Sequence, residues 1–98
     1  METYVILRRG GWRTADELQA AAARSTAEGG HMPDDIRWIR SYVLAESDGS
    51  LGTVCIYQAS SPNAIRSHAY RAGLPVDEIV AVGDTVIVRA DPAAAIPN

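Results

Sequence analysis

The sequence predicts an α+β fold whose elements follow the order β-α-β-β-α-β. Two segments carry helix start signals, and each stands between runs rich in β-branched and apolar residues. An Asp48-Gly49 turn joins the two middle runs into an antiparallel hairpin. Ninety-eight residues suffice for one core, so we expect one domain over residues 1–90 and a flexible tail over residues 91–98.

Glycine pairs mark the ends of the first strand and the first helix. The strand covers residues 3–8, and Gly10-Gly11 follows it. Thr14 with Glu17 three residues later forms a capping box, which starts a helix that ends near Gly29-Gly30. One face of this helix carries mostly small side chains: Leu18, Ala21, Ala22 and Ser25. We therefore expect this helix to pack closely against the sheet.

The second half of the chain supplies the other four elements. Strands are predicted at residues 36–46 and 51–59, and a last strand within residues 79–89. Ser61-Pro62 begins the second helix and Gly73 ends it. This order is that of the ferredoxin-like fold, a four-stranded antiparallel sheet with both helices on one face.

Alternation along the strands divides the side chains between the two faces of the sheet. Ile39, Val43, Val54 and Ile56 are predicted to face the helices. The opposite face is predicted to carry Trp38, Arg40, Tyr42, Thr53, Cys55 and Tyr57, together with Tyr4 and Ile6. An aromatic face of this kind is expected to pair with a second copy, which gives a homodimer in the form of a dimeric α/β barrel.

Five residues of that face are candidates for binding a small molecule. They are Trp38, Arg40, Tyr42, Cys55 and Tyr57. Arg40 needs an acidic partner, a ligand anion or water if it is covered. The alternative is that the aromatic residues only fill an interface between subunits, and that Cys55 is a small buried apolar residue.

Charge and composition limit the partners. The formal net charge is −3, and an acidic chain of this kind does not favour nucleic-acid binding. No apolar run approaches the roughly 20 residues that span a membrane. A single cysteine and an N-terminus without secretory features predict a cytoplasmic protein. Arg8, Arg9 and Arg13 cluster near the first loop, as a solvated surface or as a contact for an anion.

A set of motifs carries a family resemblance over about residues 4–82. They are Trp38, Ser41-Tyr42-Val43, Cys55-Ile56-Tyr57, Ala59, Ser61-Pro62, Ala64-Ile65-Arg66, His68 and Arg71-Ala72-Gly73-Leu74-Pro75, with Leu18 and Ala23-Arg24-Ser25 in the first helix. Together they resemble small ferredoxin-like proteins typified by a nickel-binding, nickel-responsive bacterial protein, most of them without an assigned function.

The resemblance implies a homodimer that binds divalent nickel, with His68 as the candidate ligand. Tyr42, Cys55 and Tyr57 carry over as pocket-lining positions. The loop that contains His31, and the hairpin tip without a basic residue, depart from the family pattern.

Metal chemistry supports only an open site in one chain. Two histidines and one cysteine cannot form the closed Cys/His set of a structural zinc site, so carboxylates, water or a second subunit must complete the shell. His68 flanks the buried stripe of its helix, where it is either a ligand or a histidine bonded to a backbone carbonyl. His31 lies in a loop with Asp34 and Asp35, which could form a surface metal site.

These features predict a binding protein rather than an enzyme. We expect a protein that binds, sequesters or senses nickel or another divalent transition metal, or a small ligand, without an organic cofactor. The alternative is a cofactor-free oxygenase or isomerase that uses the sheet-face cavity, with His68 or Tyr42 as acid or base. A third reading is a pure interaction module. The third strand lacks the basic-Gly-aromatic run of RNA recognition modules, which argues against RNA binding.

Overall fold

The computed structural model describes residues 1–94 and contains the six elements in the predicted order. They are β1 (Glu2–Trp12), α1 (Ala15–Gly30), β2 (Ile36–Ala45), β3 (Leu51–Ala59), α2 (Pro62–Ala72) and β4 (Glu78–Ala81). The strands form one sheet in the order β2-β3-β1-β4, and every neighbouring pair is antiparallel. The predicted ferredoxin-like fold is confirmed. Neither described helix is long and apolar enough to span a membrane.

Both helices begin at the predicted caps. The Thr14 hydroxyl accepts a hydrogen bond from the Glu17 backbone N–H at 3.2 Å. The Ser61 hydroxyl accepts one from the Ala64 N–H at 3.1 Å, and a proline opens the first turn of α2. α2 ends at Gly73, whose φ of 67° lies in the left-handed region that favours glycine. Local chemistry therefore fixes both ends of α2 and the start of α1.

The predicted assignment of the two faces is wrong for β1 and β3. The helix-facing side carries the buried side chains Tyr4, Ile6, Arg8, Thr53, Cys55 and Tyr57. The opposite side, which we call the open face, carries the half-buried or exposed aliphatic side chains Val5, Leu7, Val54, Ile56 and Val80. Alternation separates the two sets correctly, but it does not say which set faces the helices. The polar groups on the buried side are accommodated because most of them find hydrogen-bond partners there.

A register shift in β2 places Trp38 on the side opposite to the one predicted and leaves Arg40, Tyr42 and Val43 on their predicted sides. Trp38 lies opposite Tyr57, whereas Arg40 lies opposite Ile56, so Ile39 is an extra residue in the pairing. Such a bulge resets the alternation of the strand. Trp38 therefore lies on the helix-facing side, while Arg40 and Tyr42 belong to the open face.

The last strand is shorter than the predicted range of residues 79–89. Only Glu78–Ala81 pairs with β1, and the chain from Val82 to Ala94 has no helix or strand. Val86, Ile87 and Val88 are more than three-quarters exposed. Asp91 returns to β2 and accepts hydrogen bonds from Arg40 and Tyr42. Residues 95–98 of the predicted tail lie outside the described residues.

Candidate functional site

A cavity of about 110 Å³ lies between α1 and the helix-facing side of the sheet. Its apolar wall is formed by Trp12, Leu18, Ala21, Ala22, Val43 and Leu74. The small side chains of α1 leave this space, because alanines cannot fill the gap above the sheet. We call it the inner cavity.

Arg8 supplies a buried positive charge to the wall of the inner cavity. Its side chain is only 1% exposed, and its Nη1 donates a hydrogen bond to the Pro75 carbonyl at 2.6 Å. The other terminal nitrogen, Nη2, is buried without a hydrogen-bond partner among residues 1–94. Arg8 takes part in none of the ion pairs formed within those residues. A buried guanidinium in this state lacks the compensation that burial of a charge requires.

Tyr57 and Ser25 form a buried hydroxyl pair at the same cavity. Their oxygens lie 2.9 Å apart, and both residues line the cavity wall. Burial raises the pKa of the Tyr57 phenol, although the Ser25 hydrogen bond and the nearby charge of Arg8 act in the opposite direction. Tyr57 is therefore a neutral phenol. One hydroxyl donates to the other, so one of their two hydrogens is left over for another acceptor.

Two further hydroxyl groups of the wall also act as acceptors. Thr53 Oγ1 accepts from the Cys55 thiol at 3.3 Å, and Ser41 Oγ accepts from Trp38 Nε1 at 2.8 Å. Each of these hydroxyls keeps its own hydrogen for donation. Together with Arg8, these residues carry more donors than acceptors, although the accessible wall of the cavity is almost entirely apolar.

His68 is completely buried beside Tyr57. Its Nε2 lies 2.9 Å from the Ser25 carbonyl oxygen, and because a carbonyl only accepts, Nε2 carries the hydrogen. Nδ1 is then a lone pair, and it has no partner among the described residues. Burial lowers the pKa of the imidazole, an effect that Arg8 reinforces and that the Ser25 carbonyl and Glu28 oppose. His68 is therefore neutral, and it makes the bond to a backbone carbonyl that was one of the two alternatives for this residue.

The predicted metal ligands lie in different surroundings. His68 is enclosed in the core, while the His31 side chain is 70% exposed and its Nδ1 lies 3.5 Å from a Glu28 carboxylate oxygen. The Cys55 thiol is buried. Within residues 1–94, no three His, Cys, Asp or Glu side chains are grouped closely enough to hold a metal ion. One described chain therefore offers at most part of a coordination shell.

The five residues predicted to line a small-molecule site fall into two groups. Trp38, Cys55 and Tyr57 line the inner cavity, where the Trp38 ring stacks on Tyr57 at 6.1 Å between centroids. Arg40 and Tyr42 lie outside it, and both donate to the Asp91 carboxylate, at 2.6 Å and 2.9 Å.

Sequence reasoning missed Arg8, Ser25 and Thr53 as members of one site. The alternation of Tyr4, Ile6 and Arg8 was a usable signal, because it places the arginine on the same face as two large apolar side chains.

Comparison with known proteins agrees with the geometry of the fold. The family model described as nickel responsive protein SCO4226-like matches residues 4–82. Among solved structures, the crystal structure of SCO4226 from Streptomyces coelicolor A3(2) is similar, with a TM-score of 0.68 and 21% sequence identity. That similarity covers 86% of this chain and 99% of the other, and at this identity it supports the fold alone. No curated protein gives a significant sequence match.

Proposed function

The chain belongs to the family of SCO4226-like nickel responsive proteins, and from this premise we propose that it is a cytoplasmic, homodimeric nickel-binding protein. It would hold or sense the ion rather than transform a substrate. The family match carries this proposal, because residues 4–82 include both histidines and the only cysteine of the chain.

Two groups of side chains could provide nickel ligands, and the imidazole of histidine is a favourable ligand for this ion. The first is His68, whose Nε2–H bond to a carbonyl leaves Nδ1 as a free lone pair. Histidine ligands in metal sites commonly donate their other ring N–H in this way. The second is exposed His31 beside Glu28, which an ion can reach from solvent without any movement of the core.

Each donor group needs ligands from elsewhere. His31 with Glu28 supplies two donors, and His68 supplies one, so water or a second subunit would complete the shell. Open coordination of this kind predicts weak binding, in the micromolar range. The exposed position of His31 favours it as the first point of contact, and His68 remains the ligand implied by the family resemblance.

The open face is the proposed dimer interface. Val5, Leu7, Val54, Ile56 and Val80 form a continuous aliphatic area there that the helices do not cover. Two such faces related by a two-fold axis would cover each other. A cytoplasmic location agrees with the free, buried Cys55.

Isothermal titration calorimetry with nickel, cobalt and zinc tests nickel binding and identifies the ligand. We expect saturable nickel binding in tag-free protein, with weaker binding of the other ions. Loss of binding in His31→Ala would assign the exposed site, and loss in His68→Gln would assign the buried one. Wild-type protein that gives no binding heat would contradict the proposal.

The two variants are also controls for each other. His31→Ala alters an exposed side chain and should leave the thermal unfolding temperature unchanged within error. His68→Gln retains an N–H that can reach the Ser25 carbonyl, so it preserves more of the core than His68→Ala. Nickel binding that survives both single substitutions and their combination would remove the histidines as ligands.

A further inference from the structure

We propose that the inner cavity binds a small uncharged aromatic molecule, a single ring of about five or six atoms without strongly polar groups. This site is separate from the proposed nickel ligands and does not depend on nickel. The proposal rests on the chemistry of the cavity wall, on the volume of the cavity and on its position beside an outer groove.

The wall of the inner cavity is almost entirely apolar where it is accessible. Polar residues do border the cavity, but they bond within the protein, in the pairs Arg8–Pro75, Ser25–Tyr57, Ser41–Trp38 and Thr53–Cys55. A charged or strongly polar ligand would give up its hydrogen bonds to water on entry and find few partners in this wall, which is costly. An uncharged apolar ligand has no such bonds to lose.

Water is a poor occupant of the same space. A buried water typically makes about three hydrogen bonds to polar groups of the protein. The accessible wall of the inner cavity offers almost no polar atoms for these bonds. An apolar group that displaces poorly bound water gains affinity, and burial of its own apolar surface adds to that gain.

The cavity volume sets the size of the ligand. At about 110 Å³, the inner cavity is somewhat smaller than an engineered apolar cavity of roughly 150 Å³ that accepts benzene or xenon. A ring of about five or six atoms is therefore close to the upper limit. A fused pair of rings is too large for this space.

The side chains of the wall favour an aromatic ligand. Three of them carry aromatic rings, those of Trp12, Trp38 and Tyr57. Aromatic rings attract one another in offset-stacked or edge-to-face contacts, and these contacts contribute beyond the area that they bury. A small aromatic ring can make such contacts with the wall, which a saturated ring of the same size cannot.

The inner cavity adjoins an outer groove at Trp38. This residue is 38% exposed, and together with Ala22 and Ser41 it lines both the inner cavity and the wider groove on the outer surface of α1 and β2. A ligand is therefore expected to enter from the groove, past Trp38. Trp12 lines the same cavity, so both tryptophans of the chain report on its contents.

The test is a titration of the full chain, with EDTA present, followed by isothermal titration calorimetry and tryptophan fluorescence. The probes are thiophene and benzene, the larger rings toluene and naphthalene, and pyridine at a pH where it is uncharged. We expect saturable binding of thiophene and benzene in the millimolar range or tighter, and none of naphthalene. Pyridine should bind at least about 5-fold more weakly than benzene, because its nitrogen gives up a hydrogen bond to water in an apolar cavity.

Substitutions in α1 change the cavity without adding a polar group. Ala22→Leu should lower the affinity for benzene at least about 10-fold, because the larger side chain takes the space of the ligand. Leu18→Ala should enlarge the cavity and raise the affinity for toluene relative to benzene at least about 3-fold. The matched control is Ala20→Leu, the same substitution at an exposed position of α1 that lines neither the cavity nor the groove, and it should bind benzene like the wild type.

Four results would overturn the proposal. The first is the absence of saturable binding of thiophene and benzene up to their solubility limits. The second and third are equal affinities for benzene and pyridine, and binding of naphthalene as tight as that of benzene. The fourth is an unchanged affinity for benzene in Ala22→Leu. If Ala22→Leu does not fold, the shift towards toluene in Leu18→Ala and the comparison of benzene with pyridine still decide the question.

Discussion

Replacing Tyr57 by phenylalanine removes one partner of the hydroxyl pair at the inner cavity and leaves the ring in place. The ring can keep its stacking on Trp38 and its tilted contact with His68. What changes is the 2.9 Å hydrogen bond to Ser25, in surroundings where Tyr57 is 1% and Ser25 is 5% exposed. The Ser25 hydroxyl is then buried without its partner.

The size of the effect follows from burial. A buried hydroxyl left without its partner costs about 1–3 kcal/mol, and a neutral hydrogen bond contributes a net of about 1 kcal/mol. Tyr57→Phe and Ser25→Ala should each lower the free energy of unfolding by about 1–2 kcal/mol. The double substitution leaves no orphaned hydroxyl, so it should cost less than the sum of the single changes by about 1 kcal/mol.

Urea unfolding followed by circular dichroism, in a double-mutant cycle, measures this coupling. Thr26→Ala is the control, since the Thr26 hydroxyl is exposed and, within residues 1–94, bonds only to the carbonyl one turn earlier in α1. It should change stability by less than about 0.5 kcal/mol. Additivity of Tyr57→Phe and Ser25→Ala within about 0.3 kcal/mol would refute the buried hydrogen bond.

Three other outcomes are expected. Because the pKa of buried His68 is lowered from 6.5, the unfolded chain takes up a proton there before the folded chain does, and stability should fall as the pH drops below 6.5. The free energy of unfolding should change by at most about 1.4 kcal/mol per pH unit. Urea unfolding of the wild type and of His68→Gln at a series of pH values measures this change. Stability profiles of the two proteins that run parallel would contradict the lowered pKa. Gly73→Ala should lower the free energy of unfolding by about 1–2 kcal/mol, because the φ of 67° at this position strains any residue with a Cβ atom. Gly30→Ala at the end of α1 should not lower it. Equal effects of the two substitutions in urea unfolding would disprove backbone strain at position 73. Ile56→Arg on the open face should convert the proposed dimer to a monomer in light scattering, and an unchanged mass would rule out that interface.

The element order and the helix ends were predictable because they depend on local chemistry. Thr14, Ser61 and Gly73 act within a few residues of their own position, and each does in the structure what the sequence predicts. The family resemblance over about residues 4–82 is also confirmed.

The two faces of the sheet were not predictable from the same patterns. A period of two sorts residues into sets, but the choice of the buried set depends on partners that come from distant elements. The Tyr57 hydroxyl can be buried because it forms a hydrogen bond with the Ser25 hydroxyl of α1. No signal in the sequence near Tyr57 indicates this partner. The bulge at Ile39 reverses every later position of β2, so Arg40, Tyr42 and Val43 lie on their predicted sides although Trp38 does not.

The candidate site was predicted only in part, because the buried face of the sheet was not predictable from the sequence patterns. Trp38, Cys55 and Tyr57 do meet at one cavity, although it lies on the helix-facing side and its charge comes from Arg8 rather than Arg40. The arginine cluster was noticed, and the alternation of Tyr4, Ile6 and Arg8 was the signal in the sequence for which of its members is buried.

Equilibrium dialysis against nickel tests most directly whether the chain binds the ion. The tag-free wild type and the double variant His31→Ala/His68→Gln are dialysed together, and nickel in each compartment is measured by mass spectrometry. We predict saturable micromolar uptake by the wild type, with no more than weak residual uptake by the double variant. Wild-type uptake that is absent, or equal to that of the double variant, would contradict nickel binding through these histidines.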